Sequence, residues 1–181
     1  SENMSDGEFR VVVIEAGISR LRVVIKLTEA GYDDVCIYEK ADRIGGTWRE
    51  NTYPGLTCDV PSHHYTYSFE RNPDWTRHLL PGDEIPDYFQ AVCDKYQLER
   101  LIRFNSEIVQ ARFIDGIWEL QLNDGSFDRA HAVIAATGVL HHPSIPDIQG
   151  MHTFNGALFH SARWDHSIAL GGKRVGVIGM G

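Results

Sequence analysis

Arg10-Val-Val-Val-Ile14 runs directly into Glu15-Ala-Gly17-Ile-Ser-Arg20, and the reading of this join decides the fold. The first half is a β-branched run without polar alternation, the pattern of a strand buried on both faces in a parallel sheet. Behind the join, Ile18, Leu21, Val24, Ile25 and Thr28 recur at helical spacing, and Gly31 supplies a C-terminal stop. Val35-Cys-Ile-Tyr-Glu39 is a second buried-strand candidate. Strand, helix and strand in so short a span predict a βαβ unit with a right-handed crossover.

The join is also where a dinucleotide-binding chain carries G-x-G-x-x-G. Its first glycine makes the tight turn, the second admits a pyrophosphate to the backbone, and the third lets helix and strand pack closely. The three positions here hold Glu15, Gly17 and Arg20, so only the middle glycine is present. The context still fits, because acidic Glu39 ends the second strand where a ribose-binding carboxylate belongs. Glu15 would set a carboxylate beside the helix N-terminus that should receive phosphate. Arg20 would place a long side chain where strand and helix approach, straining the packing by about 1–3 kcal/mol unless the helix shifts. On this segment alone, a purely structural turn and a nucleotide-binding turn are equally good readings.

Further along, residues 42–83 lose regular periodicity. Gly45, Gly46, Pro54, Gly55, Pro61, Pro73, Pro81 and Gly82 punctuate the stretch, with many aromatics between them. So long an irregular segment inside a domain is usually functional. Helical spacing returns at Pro86, Tyr88, Phe89, Val92 and Tyr96. Residues 108–113 and 117–122 read as strands joined at Asp115-Gly116, and a turn at 123–125 leads to a buried strand over 130–136. Residues 173–178 read as the start of one more strand. The expected fold class is α/β: a Rossmann-like domain with a parallel sheet, a small β-meander and a long loop-rich insertion.

Composition narrows the function. The 181 residues carry 25 Asp+Glu against 17 Lys+Arg, a formal net charge of −8. That balance disfavours a nucleic-acid partner, which needs clustered cations to displace counterions. Cys36, Cys58 and Cys93 show no Cys-x-x-Cys spacing and cannot all pair with one another, so a reducing, cytoplasmic setting is expected. The opening residues lack the basic and apolar stretches of a secretory signal, and no apolar run approaches the ~20 residues of a membrane helix. The pairs His63-His64 and His141-His142 have no carboxylate at ligand spacing and read as solvated loop residues, so no metal site is expected.

The remaining motifs carry a resemblance. Ile44-Gly-Gly-Thr-Trp48 and Asn51-Thr-Tyr-Pro-Gly-Leu-Thr-Cys-Asp59-Val-Pro-Ser-His-His-Tyr65 closely resemble the class B flavoprotein monooxygenases. These include the Baeyer–Villiger and flavin-containing monooxygenases. Ala136-Thr137-Gly138 resembles their strand-end Ala-Thr-Gly. Phe154-x-Gly156-x-x-x-His160-x-x-x-Trp164-Asp165 fits the Baeyer–Villiger signature at every fixed position. Gly179-Met-Gly181 looks like the opening of the family's second glycine fingerprint. The resemblance covers Arg10 to Gly181 but only the amino-terminal part of the family's length, so the chain reads as a fragment.

The resemblance implies a division into residues 1–9 as a disordered tail or tag remnant and 10–150 as an FAD-binding domain. Residues 151–172 would then be a linker carrying the signature, and 173–181 the start of an NADPH-binding domain. It implies that Gly17 lies under the FAD pyrophosphate, that Glu39 binds the adenosine ribose, and that Gly46, Thr47 and Trp48 line the flavin. Thr137 and Gly138 would touch FAD from the strand end. Asp59 would stand in the active site near the isoalloxazine, holding an arginine supplied by downstream sequence, with Tyr65 nearby. His160 would position the linker rather than transfer protons. Thr52 stands where many Baeyer–Villiger relatives have Arg.

The implied activity is NADPH- and O2-dependent oxygenation of ketones to esters or lactones, or of another soft acceptor at sulfur or nitrogen. This chain alone is expected to be inactive, and to self-associate through uncovered apolar surface. The alternative is a flavin-free, non-catalytic module or inactive remnant of the fold, because Glu15 and Arg20 replace fingerprint glycines.

Overall fold

A computed structural model of the chain describes residues 9–138 and 142–179. Strand β1 (Val11–Ile14) passes through the glycine turn into α1 (Ile18–Glu29), and β2 (Val35–Tyr38) follows, parallel to β1. The irregular stretch contains a one-turn helix α2 (Thr47–Glu50) and a hairpin of β3 (Thr57–Pro61) and β4 (Leu79–Pro81). Helix α3 (Glu84–Lys95) then leads through a 3₁₀ turn to the short β5 (Ile102–Arg103). A meander of β6 (Ile108–Ile114), β7 (Ile117–Leu122) and β8 (Phe127–Ala130) precedes β9 (Ala132–Ala135). The parallel sheet has the order β5-β2-β1-β9.

The unbroken apolar runs of β1 and β2 follow from what covers each face. Successive strand residues point to opposite sides. Val11, Val13, Val35 and Ile37 face a core built with Leu21, Val24 and Ile25 of α1 and Phe89 and Val92 of α3. Val12, Cys36 and Tyr38 face the other way, onto Leu120, Leu122 and Ala130 of the meander. With both faces buried, no position in either strand is left for a solvent-facing polar residue. In the insertion, Tyr67 is buried against Phe69, Tyr88 and Phe89, and the Tyr88 hydroxyl donates to the Glu70 carbonyl at 2.5 Å. Tyr67 therefore belongs to the core, with Trp48, Tyr65, Phe69 and Trp75 packed against it.

A polar cluster pins the two sheets together. The Arg10 guanidinium pairs with Asp34 and with Asp128 Oδ2, the latter at 2.7 Å, and the Tyr38 hydroxyl also donates to Asp128.

Two strand expectations need correction. The run over 130–136 is split: Ala130 closes β8, the His131 N–H donates to the Arg10 carbonyl, and only Ala132–Ala135 joins the parallel sheet. Among the described strands β9 is an edge, which leaves it half-exposed rather than buried. The expected strand over 173–178 is not formed. A parallel strand is held by its neighbours, and no described strand pairs with this segment, so Val177 is 82% exposed and Ile178 66%.

Candidate dinucleotide-binding site

Three parallel strands end in register, Ile14 beside Tyr38 on one side and Ala135 on the other. The residues just past those ends therefore share one edge of the sheet: Glu15 to Gly17, Glu39, and Thr137 with Gly138. This is the carboxyl edge at which open α/β sheets bind ligands.

Gly17 is the N-cap of α1, with no side chain capping the helix and no acidic residue in its first turn. The next turn packs onto it. The Gly45 N–H donates to the Ala16 carbonyl at 3.3 Å, and a Cβ added to Gly46 would lie 3.6 Å from the Gly17 Cα. Gly46 itself has φ 54°, in the left-handed region that favours glycine. Glu39, 2% exposed, closes the other side. Its Oε2 accepts the Ala16 N–H at 2.6 Å, and its Oε1 accepts the Ala41 N–H at 2.9 Å and faces Arg49 Nη1 at 3.5 Å. A carboxylate has about four acceptor sites, so one is left for a ribose hydroxyl.

The two replaced glycines behave differently from expectation. Glu15 takes φ 69°, so the turn keeps the left-handed geometry that glycine would adopt freely. Arg20 folds back across Gly17, and its Nη2 donates to Glu15 Oε2 at 3.1 Å. A Cβ on Gly17 would fall on the Arg20 guanidinium. The backbone cradle therefore fits a diphosphate, but the space above it holds the end of a cationic side chain that must swing aside.

Thr47 and Trp48 lie in α2, and the Trp48 indole N–H donates to the Tyr65 hydroxyl at 2.6 Å. Burial raises the Tyr65 pKa; the Trp48 hydrogen bond lowers it, and the neighbouring Cys58 and Asp59 raise it further. Asp59 is exposed on β3 and sits near enough to act on Tyr65. Thr137 and Gly138 are exposed beyond β9. A half-open cavity of about 600 Å³ lies beside the first turn of α1, lined by Ile18, Ser19, Arg22, Tyr65 and Phe89. It reaches Ile18 and Ser19 at the start of α1 but not Gly17 or Glu39.

The signature residues form local structure away from the cradle. The Phe154 ring lies where a Cβ on Gly156 would be, which explains the need for glycine two residues after the aromatic. His160 Nδ1 accepts the Ala162 N–H at 3.0 Å and caps the 3₁₀ turn Ser161–Arg163, while Trp164 meets Phe159 edge to face. Asp165 Oδ1 accepts from the Ser167 N–H and hydroxyl. Among the described residues, no group of three His, Cys, Asp or Glu could hold a metal ion, and no helix is long and apolar enough to cross a membrane.

Sequence reasoning missed one residue of the site and one pairing. Arg49 contacts Glu39, and the available signal was a cation placed one turn after a glycine pair that follows an acidic strand end. Arg20 was noticed as a departure from the fingerprint, but its pairing with Glu15 was not.

Residues 8–181 match the family model described as flavin-binding monooxygenase-like. The chain is 54% identical over 171 residues to an uncharacterized monooxygenase of Mycobacterium bovis, covering 94% of this chain and 34% of the relative. It is 42% identical over 174 residues to a Baeyer–Villiger monooxygenase of Streptomyces coelicolor, covering 95% and 33%. A mutant cyclohexanone monooxygenase from Rhodococcus, solved bound to NADP+, superposes with a TM-score of 0.86 at 38% identity, covering 95% and 34%. The chain thus spans about a third of the length of the relatives it matches.

Proposed function

The chain belongs to the flavin-binding monooxygenase-like family, and on that premise we propose that it is the FAD-binding part of a Baeyer–Villiger-type monooxygenase. The observation that carries this reading is the gathering of Gly17, Gly46 and Glu39 around one strand-to-helix turn at the carboxyl edge of the sheet. FAD and NADPH serve this family. When bound, FAD supplies the redox and oxygen chemistry that no side chain can.

The chain's own residues bind and orient. The free N–H groups at the start of α1 and the bare Gly17 take the diphosphate, and Glu39 takes the ribose. Gly46, Thr47 and Trp48 line the ring, with Trp48 fixed by Tyr65. Thr137 and Gly138 contact the cofactor from the β9 end, and Asp59 faces the reacting region as the anchor for a cation from sequence beyond this chain. The residues of 151–172 position rather than react, and 173–181 opens the NADPH-binding part. The substrate class is a ketone, oxygenated with O2 to an ester or lactone, and this chain alone turns nothing over. Three buried free thiols suit a cytoplasmic setting. Exposed Val109, Phe113 and Phe127 on the meander support self-association of the isolated chain, which sedimentation at rising concentration tests.

The test of the main reading is FAD titration of the purified chain and of the double variant Glu15→Gly/Arg20→Gly, followed by flavin fluorescence. Saturable binding is expected in both. No binding in either sinks the reading. It would leave the second reading, a flavin-free module, which the guanidinium lying over Gly17 favours.

A further inference from the structure

We propose that Glu15 and Arg20 form a latch on the diphosphate seat, in which Arg20 exchanges the Glu15 carboxylate for an incoming diphosphate. The inference rests on the FAD-binding reading above and assigns the residues that regulate affinity at that seat.

Three observations converge. Arg20 and Leu21 N–H both close onto the Gly17 carbonyl, so the Ile18 and Ser19 N–H groups ahead of them have no acceptor within the helix. No side chain caps this end. The Arg20 side chain, 9% exposed, lies across that same end with Nη2 on Glu15, while its Nε is buried without a hydrogen-bond partner. A buried, orphaned guanidinium N–H beside free helix N–H groups is a set of donors waiting for an anion. Finally, the turn holds Glu15 at φ 69° with its carboxylate on the Arg20 guanidinium that lies over Gly17.

The Glu15 carboxylate offers the guanidinium a single bond. A diphosphate offers several oxygens, including the paired acceptors that an arginine fork matches. Arg20 therefore obstructs the seat when it is empty and becomes a counter-ion when it is filled. Glu15 opposes binding twice, by holding Arg20 and by repelling phosphate. A plain obstruction makes the opposite prediction for Arg20, because removing a plug can only help the ligand.

The experiment measures FAD affinity by flavin fluorescence in the unaltered chain, Glu15→Gln, and Glu15→Gln combined with Arg20→Ala or Arg20→Lys. Glu15→Gln is expected to tighten binding about tenfold, and adding Arg20→Ala to weaken it about tenfold again, as for loss of a hydrogen bond to a charged group. Arg20→Lys keeps the cation and is expected to retain part of the gain, separating charge from packing. If Arg20→Ala tightens or leaves unchanged the affinity of Glu15→Gln, the latch is overturned while the FAD reading stands. Inorganic pyrophosphate supplies a second readout through its shift of the thermal midpoint in each variant. A larger shift in Glu15→Gln than in Glu15→Gln/Arg20→Ala supports the latch even where no variant takes FAD, the case in which the FAD reading fails. Equal shifts overturn it.

Discussion

The Glu39 carboxylate accepts the Ala16 N–H at 2.6 Å, so the acidic residue that follows β2 holds the backbone of the glycine turn. With Ala41 and Arg49 on its other oxygen, this buried carboxylate stabilises the site before any ligand arrives.

Replacing Glu39 should therefore cost stability in the cofactor-free chain. Glu39→Ala strands two backbone N–H groups, while Arg49 keeps its bonds to the Arg43 carbonyl and Glu50, and a loss of about 2–3 kcal/mol is expected from urea unfolding. Glu39→Gln keeps an acceptor oxygen and should lose about 1 kcal/mol. FAD affinity should fall in both. Unchanged stability in Glu39→Ala would mean that the carboxylate serves only the ribose.

The Glu15–Arg20 pair predicts a change of sign. Alone, Glu15→Gly relieves the left-handed strain of about 1 kcal/mol but leaves a nearly buried guanidinium without its acceptor, at a cost of about 1–3 kcal/mol. Net destabilisation is expected. In an Arg20→Ala background only the relief remains, so the same Glu15→Gly should stabilise by about 1 kcal/mol. Denaturant unfolding of the four proteins in this cycle gives the coupling directly; additive effects would show that the pair is not formed.

The fold was legible because it rests on patterns that burial enforces. The runs 10–14 and 35–39 announced a doubly covered parallel sheet, and Pro86, Tyr88, Phe89 and Val92 announced α3. The hairpin β3–β4 was hidden because its strands are short and carry no alternation, and β5 because two residues give no period. At 173–178 the apolar pattern was read correctly as pattern, but a strand also needs a partner. The turns at Gly17 and Gly46 were legible because they depend on backbone conformation. Side-chain pairings such as Arg20 with Glu15 or Arg49 with Glu39 depend on rotamers and on which loops meet, and spacing alone does not encode them.

Acid should act on Asp128. Burial pushes its pKa up, but hydrogen bonds from Arg10 and Tyr38 and the Arg10 charge outweigh that and hold it below the ordinary carboxylate value. A lowered folded pKa means that this contribution is fully present above the unfolded value, about 3.9, and is lost as pH falls through the folded one. Asp128→Asn should lose about 1–3 kcal/mol at neutral pH. It should also flatten the dependence of unfolding free energy on pH below about 4. An unaltered acid slope in Asp128→Asn would place the acid sensitivity elsewhere.

Thr52 Oγ1 and His166 Nε2 lie 2.7 Å apart, joining the irregular stretch over 42–83 to the segment after Trp164-Asp165. Both side chains are exposed, so the bond contributes little to global unfolding and its effect should be local. Thr52→Val removes the hydroxyl at nearly constant shape, and His166→Ala removes the ring. Each should speed limited proteolysis within residues 151–172 about fivefold, as expected for loss of one hydrogen bond of about 1 kcal/mol. Because the two residues hold one bond between them, the double variant should be cut no faster than either single variant. Multiplicative acceleration in the double variant would mean that each residue tethers the segment through a different partner.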